Sequence, residues 1–127
     1  MTATSPQFNV ASLRDLVTTE INNGASLSDA VDLRGHSLVA IQMPVAWTAA
    51  GLSFQSSVDG ITYGDVKYEG AEYTVAAVAA DDFVPINPNV FLGCRYLRLR
   101  SGTSGAAVNQ GALRTLKLAI APFFSGS

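Results

Sequence analysis

The segment that decides the fold is Leu52-Ser53-Phe54-Gln55-Ser56-Ser57-Val58-Asp59-Gly60-Ile61-Thr62-Tyr63. Its apolar residues before the turn, such as Phe54 and Val58, fall on one side of an extended chain, because side chains alternate along a β-strand. Asp59-Gly60 supplies residues that tolerate the positive φ angles of a tight hairpin turn. Ile61 and Tyr63 then resume the apolar phase on the return strand. The segment therefore predicts a central antiparallel β-hairpin with one face in a core and the other face polar.

Other segments repeat this pattern. Residues 38–43 are apolar on both faces, as expected of a buried central strand, and Pro44 ends it because proline cannot donate to the ladder. Residues 13–21 fit a helical stripe or a strand, and the β-branched residues favour a strand over 17–22. Two further strands, at 95–100 and 115–120, flank a predicted flexible loop at 101–107. In these two strands the apolar residues that share the inward phase are Leu97, Leu99, Leu116, Leu118 and Ile120.

About seven to nine short strands separated by turn signals predict an all-β fold, an antiparallel β-sandwich of jelly-roll type. The 127 residues fit one domain. We expect an N-terminal arm over residues 1–12, a β-sandwich domain over 13–121 and a C-terminal tail over 122–127. The arm is either free or lies along a neighbouring subunit.

The composition is poor in charge. Hydrophobic residues make up 48% of the chain and charged residues only 14%, against about 25% in typical domains. A surface with so few charges predicts that other chains cover part of it.

The charges are also unevenly distributed along the chain. Residues 1–94 hold all ten acids and three bases, whereas residues 95–127 hold five bases. Pairing of basic C-terminal strands with acidic N-terminal ones explains this, and so would a basic face for an acidic partner. Nucleic acid binding is disfavoured, since the bases lack the number and the interleaved aromatic residues of such a surface.

Residues that carry catalytic chemistry are scarce. His36 lies in an Arg-Gly-His turn, and no Gly-x-Ser-x-Gly elbow accompanies it. Cys94, the one cysteine, is expected to be buried and inert rather than nucleophilic, and one cysteine with one histidine makes a zinc site improbable. No phosphate loop or dinucleotide motif is present. We therefore expect no enzyme, no cofactor and no metal.

We expect no signal peptide at the N-terminus. Residues 1–6 have neither a basic start nor an apolar run, and no stretch reaches the roughly 18 apolar residues of a membrane span. We expect a soluble protein made in a cytoplasm, without membrane contact.

Two strand motifs resemble those of discoidin-type, galactose-binding-like jelly rolls. They are the hairpin segment 54–63, in which Ser-x-Asp-Gly leads to an aromatic residue, and the strand Arg95-Tyr96-Leu97-Arg98-Leu99. These motifs belong to the scaffold of that family, so the resemblance implies a jelly roll and carries over no ligand residues. The paired cysteines frequent in that family are missing here.

A more extensive resemblance is to small structural proteins of tailed bacteriophages. It is carried by segments 25–33, 41–50 and 95–103, by the Asp59-Gly60 hairpin and by Val108-Asn109-Gln110. The resemblance implies a virion component. Capsid cement (decoration) proteins are often jelly-roll trimers of about this size, so the implied location is the outer capsid surface, with the major capsid protein and further copies of the chain as partners.

The candidate interface residues are large apolar or basic side chains, four in the terminal segments and three in the predicted sandwich domain. Trp47 is either a core residue or an exposed anchor. The full set is Phe8, Val10, Trp47, Arg98, Arg100, Phe123 and Phe124. The alternative function is a tail- or baseplate-associated carbohydrate-binding module with a sugar stacked on Trp47 or Tyr63.

Overall fold

A computed structural model describes residues 15–76 and 78–122, and they form strands and connecting turns with one short 3₁₀ helix at Pro88–Phe91. The first six strands are β1 (Asp15–Ile21), β2 (Val31–Asp32), β3 (His36–Gln42), β4 (Leu52–Ser57), β5 (Gly64–Asp65) and β6 (Lys67–Tyr68). The other six are β7 (Ala71–Glu72), β8 (Thr74–Val75), β9 (Phe83–Pro85), β10 (Tyr96–Thr103), β11 (Ala106–Ala107) and β12 (Arg114–Pro122). The predicted all-β class is confirmed.

Two antiparallel sheets contain most of these strands. The first sheet has the order β1-β12-β3-β9, and the second has the order β11-β10-β4-β5, with β2 also paired to β10 and β8 to β4. Strands β6 and β7 form a separate hairpin. The long strands β12 and β10 are central, so the last third of the chain completes both sheets.

The two sheets share one hydrophobic core. The first sheet contributes Ile21, Leu38, Ile41, Leu116, Leu118 and Ile120, and the second contributes Leu52, Phe54, Leu97 and Leu99. Phe91 of the 3₁₀ helix packs edge-on against Phe54, with ring centroids 5.1 Å apart. One core between two antiparallel sheets is the arrangement of a β-sandwich, whereas the jelly-roll connectivity stays a prediction.

Most of the strands inferred from alternation are present. Residues 15–21 form a strand and not a helix, because this edge strand pairs along its whole length with β12, from Asp15 opposite Ile120 to Ile21 opposite Arg114. In β10 and β12 the inward residues are those that the alternation predicts. Strand β3 ends at Gln42, just before Met43 and Pro44.

The turn of the central hairpin differs from the prediction. Strand β4 ends at Ser57, and the return strand β5 begins only at Gly64. The Ser57 hydroxyl accepts the Gly60 N–H (2.8 Å), and the Asp59 carboxylate accepts the Ile61 N–H (2.8 Å). These local bonds take the backbone out of the strand, so the predicted inward phase of Val58 and Ile61 is wrong: they are 81% and 84% exposed.

The predicted loop at 101–107 is also wrong. Strand β10 continues to Thr103, and β11 folds back on it, with Gly102 opposite Ala107. Gly102 has φ +92, and an added Cβ would collide with the backbone of Ala106. Glycine at this position therefore allows a tight hairpin that the polar, glycine-rich sequence did not reveal.

Candidate functional site

The outer face of the first sheet is built from cross-strand rows. One row joins Leu16, Ala119, Ala40 and Pro85 across all four strands, and it is entirely apolar. The next row joins Thr18, Lys117, Gln42 and Phe83. Their neighbours Leu118 and Ile41 point into the core, which fixes these two rows on the opposite side of the sheet.

Large apolar side chains on and beside this face are exposed to solvent. The exposed fractions are 62% for Leu16, 83% for Val45, 65% for Phe83 and 54% for Leu113. Exposed apolar side chains grouped on one side of a sheet are typical of a surface that another protein covers.

Two grooves indent this face. The larger groove has a volume of about 610 Å³ and is lined by Gln42, Met43, Pro44, Val45, Asp81, Leu113, Thr115 and Lys117. The smaller groove has a volume of about 340 Å³ and is lined by Val39, Ala40, Phe83 and Ala119. Apolar walls with Lys117 and Asp81 as the charged groups fit protein side chains, and the larger volume lies in the range of roughly 300–1,000 Å³ that holds a drug-sized group.

The candidate residues from the sequence lie apart from this face or outside the described residues. Phe8, Val10, Phe123 and Phe124 belong to the undescribed segments 1–14 and 123–127. Trp47 is half-buried against the core, and its indole N–H donates to the Ala50 carbonyl (3.0 Å).

Arg98 and Arg100 lie together on the outer side of the second sheet. The Arg98 guanidinium carbon is 4.2 Å from the centroid of the Tyr63 ring, a cation–π distance. Arg98 Nε is buried and has no hydrogen-bond partner among the described residues.

Arg100 is buried and its guanidinium is held by its own chain. It donates to Asp65 (2.6 Å), to Glu72 (3.3 Å) and to the Ser53 hydroxyl (3.0 Å). This network joins β10 to β4, β5 and β7. It also pairs a base from the C-terminal part of the chain with acids from the N-terminal part, as the uneven charge distribution suggests.

Gln110 is a structural residue that alternation alone did not single out. Its side-chain oxygen accepts the Thr48 N–H (2.8 Å) and Arg114 Nε (3.0 Å), and its amide donates to the Ser101 hydroxyl (2.7 Å). Its backbone also pairs with the turn at residues 24–25. Val108-Asn109-Gln110 therefore has a scaffold role within this chain.

The residues with catalytic potential are scattered. His36 Nδ1 lies 3.1 Å from the carbonyl oxygens of Leu33 and Arg34. Cys94 is buried, and desolvation raises the pKa of its thiol to about 11, so it stays protonated at neutral pH. Within residues 15–76 and 78–122, no group of three or more histidine, cysteine or acidic residues could hold a metal ion. The same part of the chain includes no helix whose length and apolarity would let it span a membrane.

Comparison with known proteins adds no family to this description. No protein-family model matches the chain, and no match is found among curated proteins.

Proposed function

We propose that this chain is a structural protein of a tailed-bacteriophage virion, a cement protein that binds the outer surface of the head and stabilises the contacts between capsomers. The observation that carries the proposal is the exposed apolar outer face of the first sheet, with Leu16 and Phe83 at its two edges. The resemblance of segments 25–33, 41–50 and 95–103 to phage structural proteins gives it a biological setting.

The size of the face indicates how such binding would work. Four strands spaced about 4.8 Å apart span about 14 Å, and the seven residues of β1 or β3 at about 3.3 Å each span about 23 Å. Because β9 has only three residues, the footprint is at most roughly 320 Å². A stable interface needs about 800 Å² per partner. The adjoining loops with Val45 and Leu113, and the terminal segments with Phe8 and Phe123, are therefore needed to complete it.

Apolar burial is the driving force in this proposal. At roughly 25 cal/mol per Å² of apolar surface, a few hundred square ångströms contribute several kcal/mol before the entropy of association is subtracted. In a trimer, each of the three copies would bind the major capsid protein through one such surface. Binding at three linked sites raises the overall affinity of the trimer for the capsid.

The proposal is tested on purified particles. Quantitative mass spectrometry of separated heads and tails is expected to find the protein on heads, in a fixed ratio to the major capsid protein. Deletion of residues 1–10 is expected to lower this occupancy. Unchanged occupancy would remove the arm from the mechanism, and recovery of the protein with tails alone would overturn the assignment to the head.

A second experiment addresses the apolar face. Phe83→Asp places a charge on the face, whereas Leu92→Asp changes an exposed apolar residue that follows the 3₁₀ helix and lines neither groove. Head occupancy is expected to fall at least tenfold for the first variant and to stay unchanged for the second. Equal occupancy of both variants would show that the face plays no part in binding.

The alternative is a carbohydrate-binding module on the tail or baseplate. The observation that favours it is the Tyr63 ring on the second sheet beside Arg98, whose Nε lacks a partner among the described residues. Glycan-array binding that is abolished by Tyr63→Ala would support this function over the cement function.

A further inference from the structure

The larger groove and the end of β12 lie at opposite ends of the first sheet. Strand β12 begins at Arg114, opposite Ile21, and ends at Pro122, opposite His36. The groove residues Leu113, Thr115 and Lys117 lie at the beginning of this strand. At about 3.4 Å per residue, Lys117 is about 17 Å from Pro122 and Leu113 about 30 Å.

This geometry separates the groove from the aromatic residues that follow β12 in the same chain. Each residue advances the chain by at most about 3.8 Å, so two residues and one phenylalanine side chain cannot span the distance of about 17 Å from Pro122 to the groove residue Lys117. A phenylalanine from this segment can fill the groove only when it comes from another molecule.

The chemistry of the groove suits an aromatic occupant. Met43, Pro44, Val45 and Leu113 supply apolar lining, and Lys117 is one of the two charged residues that line the groove. Among residues 15–76 and 78–122, the ion pairs do not include Lys117. Its ammonium can therefore lie over an aromatic ring, an arrangement that contributes about 0.5–1 kcal/mol at exposed sites.

We propose that the larger groove of one copy receives Phe123 and Phe124 of a second copy of this chain. The donating end and the receiving groove lie at opposite ends of the sheet, so the contact is head-to-tail. Head-to-tail contacts close into a ring when 360° is a whole multiple of the rotation that relates one copy to the next. A rotation of about 120° gives a trimer. The inference deepens the proposed function, on which it rests, by naming the contact between copies.

The test pairs a donor variant with a groove variant of the full chain. Phe123→Ser with Phe124→Ser removes the donor side chains, and Val45→Asp adds a charge to the groove wall. Ile61→Asp is the control, since Ile61 is 84% exposed against 83% for Val45 and lies on the turn of the second sheet. Sedimentation velocity at micromolar concentration measures the mass of the wild-type chain and of each variant. Far-UV circular dichroism checks that each variant is folded.

The wild-type chain and Ile61→Asp are expected to sediment as the same oligomer, and the donor and groove variants as monomers of 13.3 kDa. A 1:1 mixture of the two defective variants retains one intact donor and one intact groove, so pairs are expected to return, but no closed ring. A donor variant that keeps the wild-type mass would overturn the proposal. So would a mixture that stays monomeric, because that result indicates a symmetric face-to-face contact.

A peptide experiment keeps the test valid if the groove variant does not fold. A peptide of residues 121–127 is titrated into the ¹⁵N-labelled donor variant, beside a peptide with serine at positions 123 and 124. Amide shifts at Val45, Leu113 and Lys117 with the first peptide only are expected, and equal shifts with both peptides would contradict the proposal. A chain that forms the oligomer but leaves heads unoccupied would instead overturn the proposed function alone.

Discussion

The side chain of Arg100 shows how a single residue can join several strands. Its guanidinium donates to Asp65 of β5, Glu72 of β7 and Ser53 of β4. Charged groups removed from water need such partners, because an unpaired buried charge costs several kcal/mol. Arg100 therefore stabilises the short strands, which have few backbone pairings of their own.

Arg100→Met keeps an apolar stem and removes the charge, leaving the partly buried carboxylates of Asp65 and Glu72 without their partner. We expect a loss of about 1–3 kcal/mol in the free energy of unfolding, less than the roughly 3–5 kcal/mol of a fully buried pair. Urea denaturation monitored by fluorescence measures it.

Arg95→Met is the matched control for this variant. Arg95 pairs with Asp32 at 2.7 Å, but both side chains are exposed, so solvent screens the interaction. The control is expected to lose much less stability than Arg100→Met. Equal losses would show that burial of the Arg100 network does not matter.

The β4–β5 turn shows how polar side chains define an element boundary. Ser57 and Asp59 together accept the backbone N–H groups of residues 59–62. Gly60 has φ +78 and lies against the Tyr96 ring, where a side chain would be both strained and crowded. The turn is therefore wider than a two-residue hairpin and is held by its own side chains.

This turn has a defined pH dependence. Hydrogen bonds from the N–H groups of Ile61 and Thr62 and from the Ser57 hydroxyl lower the pKa of Asp59 below 3.8. A lowered folded-state pKa stabilises the fold above the unfolded pKa, and this contribution is lost as the pH falls through the folded value. As the pH falls from about 4 to 2, we therefore expect the free energy of unfolding to decrease less steeply for Asp59→Asn than for the wild type.

Urea midpoints measured at several pH values check this prediction. The pKa of Asp32 is also lowered, chiefly by its hydrogen bond from Arg95, and this contribution remains in both chains. Parallel midpoint curves for the wild type and Asp59→Asn would contradict the role given to Asp59.

At the scale of the whole molecule, the sheets are joined by the shared core and by a small polar cluster around Gln110. Its amide links the loop at Thr48 with Ser101 of β10 and Arg114 of β12. Gln110 and Ser101 are buried, so these two side chains depend on partners within the chain for hydrogen bonding. Gln110 thereby fixes the first sheet, the second sheet and the 47–50 loop relative to one another.

Gln110→Met preserves the approximate volume and removes the amide. We expect a loss of about 1–3 kcal/mol of unfolding free energy, because the Thr48 N–H and the Ser101 hydroxyl lose a buried partner. Faster amide hydrogen exchange at Thr48 is expected as well. Asn109→Ala, at the exposed neighbouring position, is the control and should stay within about 0.5 kcal/mol of the wild type.

The sequence determined what depends on neighbours along the chain. Alternation in β10 and β12 revealed which side chains enter the core, and Pro44 marked where β3 had to end. The scarcity of charge led to the expectation that other chains cover part of the surface, which stays a prediction. The residues that form one row of the apolar outer face could not be predicted from alternation. Leu16, Ala119, Ala40 and Pro85 come from four strands that are distant in sequence.

Only the tertiary structure decided which strands became neighbours, and hence which outward side chains form one surface. Strand order is non-local: β12 pairs with β1, which precedes it by about 100 residues, and with β3, which precedes it by about 80. It likewise decided that Arg100 is buried beside Asp65 and Glu72 and that Val58 is exposed. In each case the reason is physical: local periodicity sets the direction of a side chain relative to its own strand, whereas burial depends on what packs above it.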